Sequence, residues 1–215
     1  MKLTIQSYKQ KHKLACGPAC LKMVFQHYGK RISEAKILKA LGGTTKFGTY
    51  STDLSVYAAQ QGFKVSCFTY NLKLIDPAIA KLPSNQIIKK LQAIKKTTSK
   101  QFDKGVLSST IKLLQSDVRW FFEPPRLDKI KGFLKRKIPV IIAINYHSLK
   151  NTQGDITKGH FIVLRSFNKN SFFYTDPWDG KPHQLSADQL FFSLASNVLN
   201  SSAYMIIIEP IQAVK

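Results

Sequence analysis

The chain has 215 residues, which suits one domain or one domain carrying a sizeable insertion, and its 44% hydrophobic content is ample for a packed core and argues against disorder. Its 33 Lys+Arg against 12 Asp+Glu give a formal net charge of +21, which favours contact with anionic surfaces. No apolar run reaches the ~18–20 residues that span a bilayer, and three cysteines are too few for a disulfide framework. The opening "MKLTIQSYKQKHK" has no apolar h-region, so the expected location is cytoplasmic, or exported without a Sec-type signal peptide. The basic residues are dispersed and no nucleic-acid-reading motif accompanies them, so an anionic partner is an expectation from charge alone.

Residues 2–8 read as a short strand or an extended lead-in. Gly17-Pro18 opens a helix, because proline suits a first helical turn; Leu21, Val24, Phe25 and Tyr28 follow at helical spacing until Gly29. Residues 33–41 predict a second helix capped by Ser33 and ended by Gly42-Gly43. "TYSTDLSVYAAQQGF" predicts a third, with Leu54, Tyr57 and Ala58 inward, and "KVSCFTY" (64–70) alternates as a strand.

Residues 76–125 are the hardest to read. "SNQIIKKLQAIKKTTSK" predicts a basic amphipathic helix with Ile87, Ile88, Leu91 and Ile94 as its stripe, and "VLSSTIKLLQSDVRWFF" predicts another. "RLDKIKGFLKRK" is a helix stopped by Pro139. Strands then dominate: "PVIIAINY", a polar loop at 147–159, "HFIVLRSF", "SFFYTDP", a turn at "DPWDGKP", a short helix capped by Ser186, and a closing "AYMIIIEP". Helices followed by an antiparallel sheet make an α+β fold, taken as a single domain over 1–215 with a basic helical insertion at about 76–125.

Cys16 stands at the start of the first helix, where unpaired N–H groups and the positive end of the helix dipole favour a thiolate. Cys20, four residues on, falls toward the core face. A Cys16–Cys20 disulfide across one turn has awkward geometry. His12, Cys16, Cys20 and His27 match no zinc-ligand spacing, so no metal or other cofactor is expected. A thiolate nucleophile needs a base, a group that orients the base, and donors for an oxyanion. Of five histidines, His160 follows Gly159 at the end of a polar loop and begins an apolar strand, whereas His147 and His183 lie in loops and His12 and His27 in less rigid settings. A hairpin after that strand returns Asp176 to the same end as His160, with Asp179 further out in the turn as the spare candidate. Gln10 can join the Cys16 backbone N–H as an oxyanion donor, with Gln6 as the alternative.

The blocks "Q-x5-C-G-P-A-C-L-x-M", "G-T-x-x-x-x-L-x-x-x-A-x-x-x-G-F", "G-H-F-I-V-L" and "D-P-W-D-G" together resemble the bacteriocin-processing (double-glycine) peptidases of the papain-like cysteine peptidase superfamily. The matching stretches are 10–29, 48–63, 138–146 and 159–180, in the family's order. The resemblance implies a papain-like fold and a catalytic set of Cys16 as nucleophile, His160 as general base and acid, Asp176 as orienter and Gln10 as oxyanion donor. It also implies a peptide or protein substrate cleaved through an acyl-enzyme. Ala15 stands where the family often has an acidic residue, and 76–125 is longer than the family's corresponding stretch. Transfer of the acyl group to an amine or thiol, or an inactive peptidase-like binding module with a basic surface, are the alternatives.

Overall fold

Gly17 is where the two halves of the chain come into contact. A computed structural model describes residues 3–155 and 157–211. In it α1 (Cys16–His27) begins with no side-chain cap, and Gly17 lies so close to its neighbours that a Cβ there would stand 2.5 Å from Thr49 Oγ1 and 2.6 Å from Leu54 Cδ1. Phe161 would be 3.3 Å away. Only a hydrogen at this position lets the first turn of α1 settle against the sheet. Gly17→Ala is therefore expected to cost about 1–3 kcal/mol through overpacking, read as a lower urea midpoint with an unchanged slope.

α1 buries Leu21, Met23, Val24 and Phe25 and stops at Gly29, whose φ of +80° a side chain would resist. α2 (Glu34–Ala40) starts at Ser33, whose hydroxyl accepts the Lys36 N–H, and ends in Gly42-Gly43. α3 (Ser51–Gln60) turns Leu54, Tyr57 and Ala58 inward as its spacing predicted. The stretch read as an insertion contains α4 (Pro77–Ala80), α5 (Ser84–Thr97) and α6 (Gln101–Leu114). Ile87 and Leu91 of α5 meet Val106 and Leu107 of α6 in a small core of their own, while α6 also packs on α3. α7 (Leu127–Lys135), α8 (Tyr146–Lys150) and α9 (Ala187–Ala195) follow; the Ser186 hydroxyl caps α9 by accepting the Gln189 N–H.

The strands are β1 (Phe63–Thr69), β2 (Arg119–Phe122), β3 (Val140–Asn145), β4 (Gly159–Phe167), β5 (Ser171–Asp176), β6 (Lys181–Ser186) and β7 (Met205–Pro210). They form one seven-stranded sheet in the order β2-β1-β7-β3-β4-β5-β6. Every pairing is antiparallel except β1 with β2. The α+β expectation holds, with helices packed on a mostly antiparallel sheet.

Four local readings change. Residues 119–122 are a parallel edge strand instead of the end of a helix, because Ser116–Val118 break the helical run and β1 offers a free edge. "KVSCFTY" does not alternate: β1 is buried almost throughout, since it sits inside the sheet with α3 packed on it. Residues 146–150 form α8 where the last residue of a strand and the start of a loop were expected, capped by the Asn145 side chain accepting the Ser148 N–H. "KPHQLS" pairs with β5 as the other edge strand, β6. The N-terminal lead-in is extended without a ladder of its own. It crosses the turn after β5, with the Gln10 N–H donating to the Pro177 carbonyl at 2.7 Å, and Glu34 accepts the Lys11 N–H. No helix among the described residues is long and apolar enough to cross a membrane.

Candidate active site

β4 and β5 form a hairpin whose register pairs Val163 with Thr175, so Asp176 lies diagonally across from His160 on the same face of the sheet. The distance follows from that register: His160 Nε2 meets Asp176 Oδ1 at 2.7 Å, with both residues almost wholly buried. α1 packs against β4 and brings the Cys16 thiol beside the imidazole, where it favours the charged ring. With Nε2 held by Asp176, Nδ1 is the nitrogen left to serve Cys16. Cys16, His160 and Gln10 line one cleft of about 540 Å³.

The electrostatics follow from this arrangement. Burial works against a charged His160, but the bond to Asp176 and the neighbouring Cys16 outweigh it and lift the imidazole to about 9. Burial likewise opposes the Asp176 charge. His160, the Lys150 ammonium and the Trp178 N–H nonetheless hold its carboxyl well below the usual carboxylate range. Cys20 and Cys67 are fully buried, and burial pushes both thiols up, Cys67 to about 12. All three cysteines are free, and Cys16 alone of them is partly exposed.

Because His160 titrates higher folded than the ~6.5 of an unfolded histidine, its contribution to stability is complete below about 6.5. It is lost as pH rises through about 9. The urea midpoint is expected to fall over that interval, and the fall should shrink in a His160→Gln variant measured over the same pH range.

Gln10 reaches the cleft, but its Nε2 donates to the His12 carbonyl at 2.8 Å and the Lys13 carbonyl at 2.9 Å. Its Oε1 is buried and has no hydrogen-bond partner among the described residues. A donor role toward an oxyanion therefore requires the amide to rotate. The Cys16 N–H requires no such change, since the first N–H groups of a helix have no acceptor within it. Gln6 bonds the Gln26 side chain instead. Asp179 accepts from His183 Nε2 at 2.8 Å and from the Lys181 N–H at 2.9 Å, so it organises the turn. Asp176, Asp179 and His183 approach one another closely enough to suggest a metal, but the Asp176 oxygens already accept from His160, Lys150 and Trp178.

Sequence reasoning missed four contributors. Lys150 on α8 donates to Asp176 Oδ2 at 2.9 Å, which was invisible while 147–159 was read as loop; the N-x-x-S cap at Asn145 was the available signal. Tyr146 stands edge-on to His160 with centroids 5.6 Å apart, and Trp178 packs edge-on against Tyr146, shielding the imidazole–carboxylate pair. Asn197 lines the cleft beside Gly159 with its buried Oδ1 unpartnered among the described residues.

Two solved structures share the architecture. A double glycine motif protease from an AMS/PCAT transporter, in complex with its leader peptide, is 15% identical, with a TM-score of 0.52 over 98% of this chain and 94% of that one. The peptidase domain of Streptococcus ComA, a bi-functional ABC transporter involved in a quorum-sensing pathway, is 16% identical, with a TM-score of 0.51 over 97% of this chain and all of that one. At such identities the likeness is one of fold. No curated protein matches the sequence. The model of the Peptidase_C39 like family matches residues 2–194, in keeping with the resemblance carried by the cysteine, histidine and aspartate blocks, and the chain belongs to that family.

Proposed function

We propose that the protein is a cysteine peptidase that cleaves a peptide bond through an acyl-enzyme on Cys16. The observation that carries this reading is the imidazole of His160, bonded to the buried carboxylate of Asp176 at 2.7 Å and lining one open cleft with the Cys16 thiol. His160 Nδ1 takes the thiol proton, and Cys16 Sγ attacks the substrate carbonyl carbon. The oxyanion is received by the Cys16 N–H and by a rotated Gln10 amide. Collapse of the tetrahedral adduct breaks the C–N bond, and the imidazolium returns its proton to the departing amine. Water, deprotonated by His160, then hydrolyses the thioester and restores the thiol. Asp176 holds the ring orientation and stabilises the imidazolium in both halves. The leader peptide bound to the transporter protease of the same fold supports a peptide as the substrate.

Intact-mass analysis during mild iodoacetamide treatment tests the reading. Cys16 is expected to label first and alone, with Cys20 and Cys67 unreacted and a Cys16→Ala variant inert. Labelling of Cys16 no faster than that of the two buried thiols would sink it.

A further inference from the structure

The wall of the cleft facing Cys16 is made by two segments that approach each other, the loop 41–50 and the beginning of α6 from the basic insertion. Phe47 meets Phe102 edge-on with ring centroids 5.1 Å apart, and Tyr50 lies 6.0 Å from Phe102. Phe47 is nearly half exposed, so this aromatic group presents apolar surface to whatever enters. Around it stand Lys13, Lys46, Lys73, Lys100 and Lys158, against two aspartates.

The balance is more one-sided than that count suggests. Asp103 is buried and taken by Lys73 at 2.8 Å. Asp155 accepts the Thr157 N–H and hydroxyl, both at 2.7 Å, and so closes its own turn. Lys158 lies over the Tyr146 ring at 4.3 Å. Lys13, Lys46 and Lys100 are exposed and make no ion pair among the described residues, and Lys46 lies over the Phe47 ring at 5.1 Å. Three ammonium groups with no carboxylate partner among the described residues, one of them over the Phe47 ring, stand at one cleft beside an aromatic shelf and form a receiver for an anion that also carries apolar side chains.

We propose that this cleft selects an acidic peptide, with carboxylates on Lys46 and Lys100 and an apolar side chain on the Phe47–Phe102 shelf. A thiol–imidazole pair acts on an acyl carbon, which favours a carboxylate-bearing peptide over a nucleic acid as the anionic occupant. The insertion thereby acts in substrate choice, through Lys100 and Phe102. The proposal rests on the peptidase reading for cleavage, whereas the binding preference can be measured without turnover.

The experiment uses the full chain carrying Cys16→Ala and three fluorescein-labelled twelve-residue peptides. One alternates Glu with Leu, and its two counterparts have every Glu replaced by Gln or by Lys. The acidic peptide is expected to bind at least about tenfold more tightly than the Gln peptide at low salt, given up to about fivefold from each exposed pair. That margin should shrink several-fold at 0.5 M salt as screening increases. Adding Lys46→Glu with Lys100→Glu should remove the margin, while Lys89→Glu with Lys90→Glu on the exposed side of α5 changes net charge equally and should keep it. An unchanged urea midpoint in the first pair shows that the fold survives. Equal binding of the Glu and Gln peptides overturns the proposal, as does equal loss from both lysine pairs, or displacement of the acidic peptide by a single-stranded oligonucleotide of the same charge at lower concentration. Selective labelling of Cys16 with no charge preference would fell this inference alone. A charge preference without selective labelling would fell the peptidase reading alone.

Discussion

Replacing His160 with alanine is expected to lower peptide turnover by about 10³-fold or more and to slow iodoacetamide labelling of Cys16 at least about tenfold near pH 7. The size of the effect follows from the wiring of the site. In the proposed mechanism one imidazole, bonded to Asp176, accepts the Cys16 proton, carries the charge that Asp176 offsets, and returns the proton to the leaving amine. No other histidine can replace it: His147 is engaged with Thr152 on the exposed side of α8, and His183 with Asp179 in the turn. A Cys16→Ala, His160→Ala double variant is expected to be no worse than either single one, because the two groups act as a unit. Turnover assays and labelling rates on the three variants check this. Near-normal labelling of Cys16 in the His160 variant would show that the imidazole does not activate the thiol.

The Asp176→Ala variant carries the second large effect, and it is divided between stability and rate. The carboxylate is completely buried and accepts from His160 Nε2, Lys150 Nζ and the Trp178 N–H. Its removal leaves three donors without an acceptor, and breaking a buried pair costs about 3–5 kcal/mol. The lower end of that range is expected, since the Lys150 side chain is 26% exposed and can turn to water while His160 becomes neutral. Turnover should fall by about 10²–10⁴-fold. Asp176→Asn separates the two contributions. Its amide oxygen can still accept the Nε2–H and orient the ring, so it should retain more activity than Asp176→Ala. Its Nδ2 would face the Lys150 ammonium, donor against donor, so part of the stability loss should remain. Because the folded carboxyl titrates below its unfolded value of ~3.9, its stabilisation is present above about pH 4 and disappears on further acidification. The wild-type protein should lose stability through that acidic range more steeply than Asp176→Asn.

The candidate site residues could be singled out in the sequence because each is tied to a local signal. Gly17-Pro18 marks the helix start that holds Cys16, and Gly159 marks the start of the His160 strand. A short hairpin returns the chain to Asp176 at the same end of the sheet, and pairing at close sequence range constrains which residues become neighbours. The caps at Ser33 and Ser186 and the stops at Gly29 and Gly42 were readable for the same reason, since caps and positive φ angles are local requirements.

The insertion resisted reading because its signals are weak locally and strong only in context. Residues 119–122 form a four-residue strand whose existence depends on a free edge of β1, some fifty residues earlier. The basic helix α5 is amphipathic alone, but only α6 decides where its apolar stripe is buried. Lys150 could be placed against Asp176 only by the turn of α8.

Local patterning by itself therefore determined most of the helices and strands and singled out Cys16 and His160 as the candidate nucleophile and base. The tertiary structure decided the sheet's edge strands, the lysine that shares Asp176, the orientation of the Gln10 amide and the wall that faces Cys16. The division has one physical cause. Caps, turns and hairpins are satisfied within a few residues of chain, whereas an ion pair, an edge pairing or a cleft wall depends on which distant surfaces the folded core brings together.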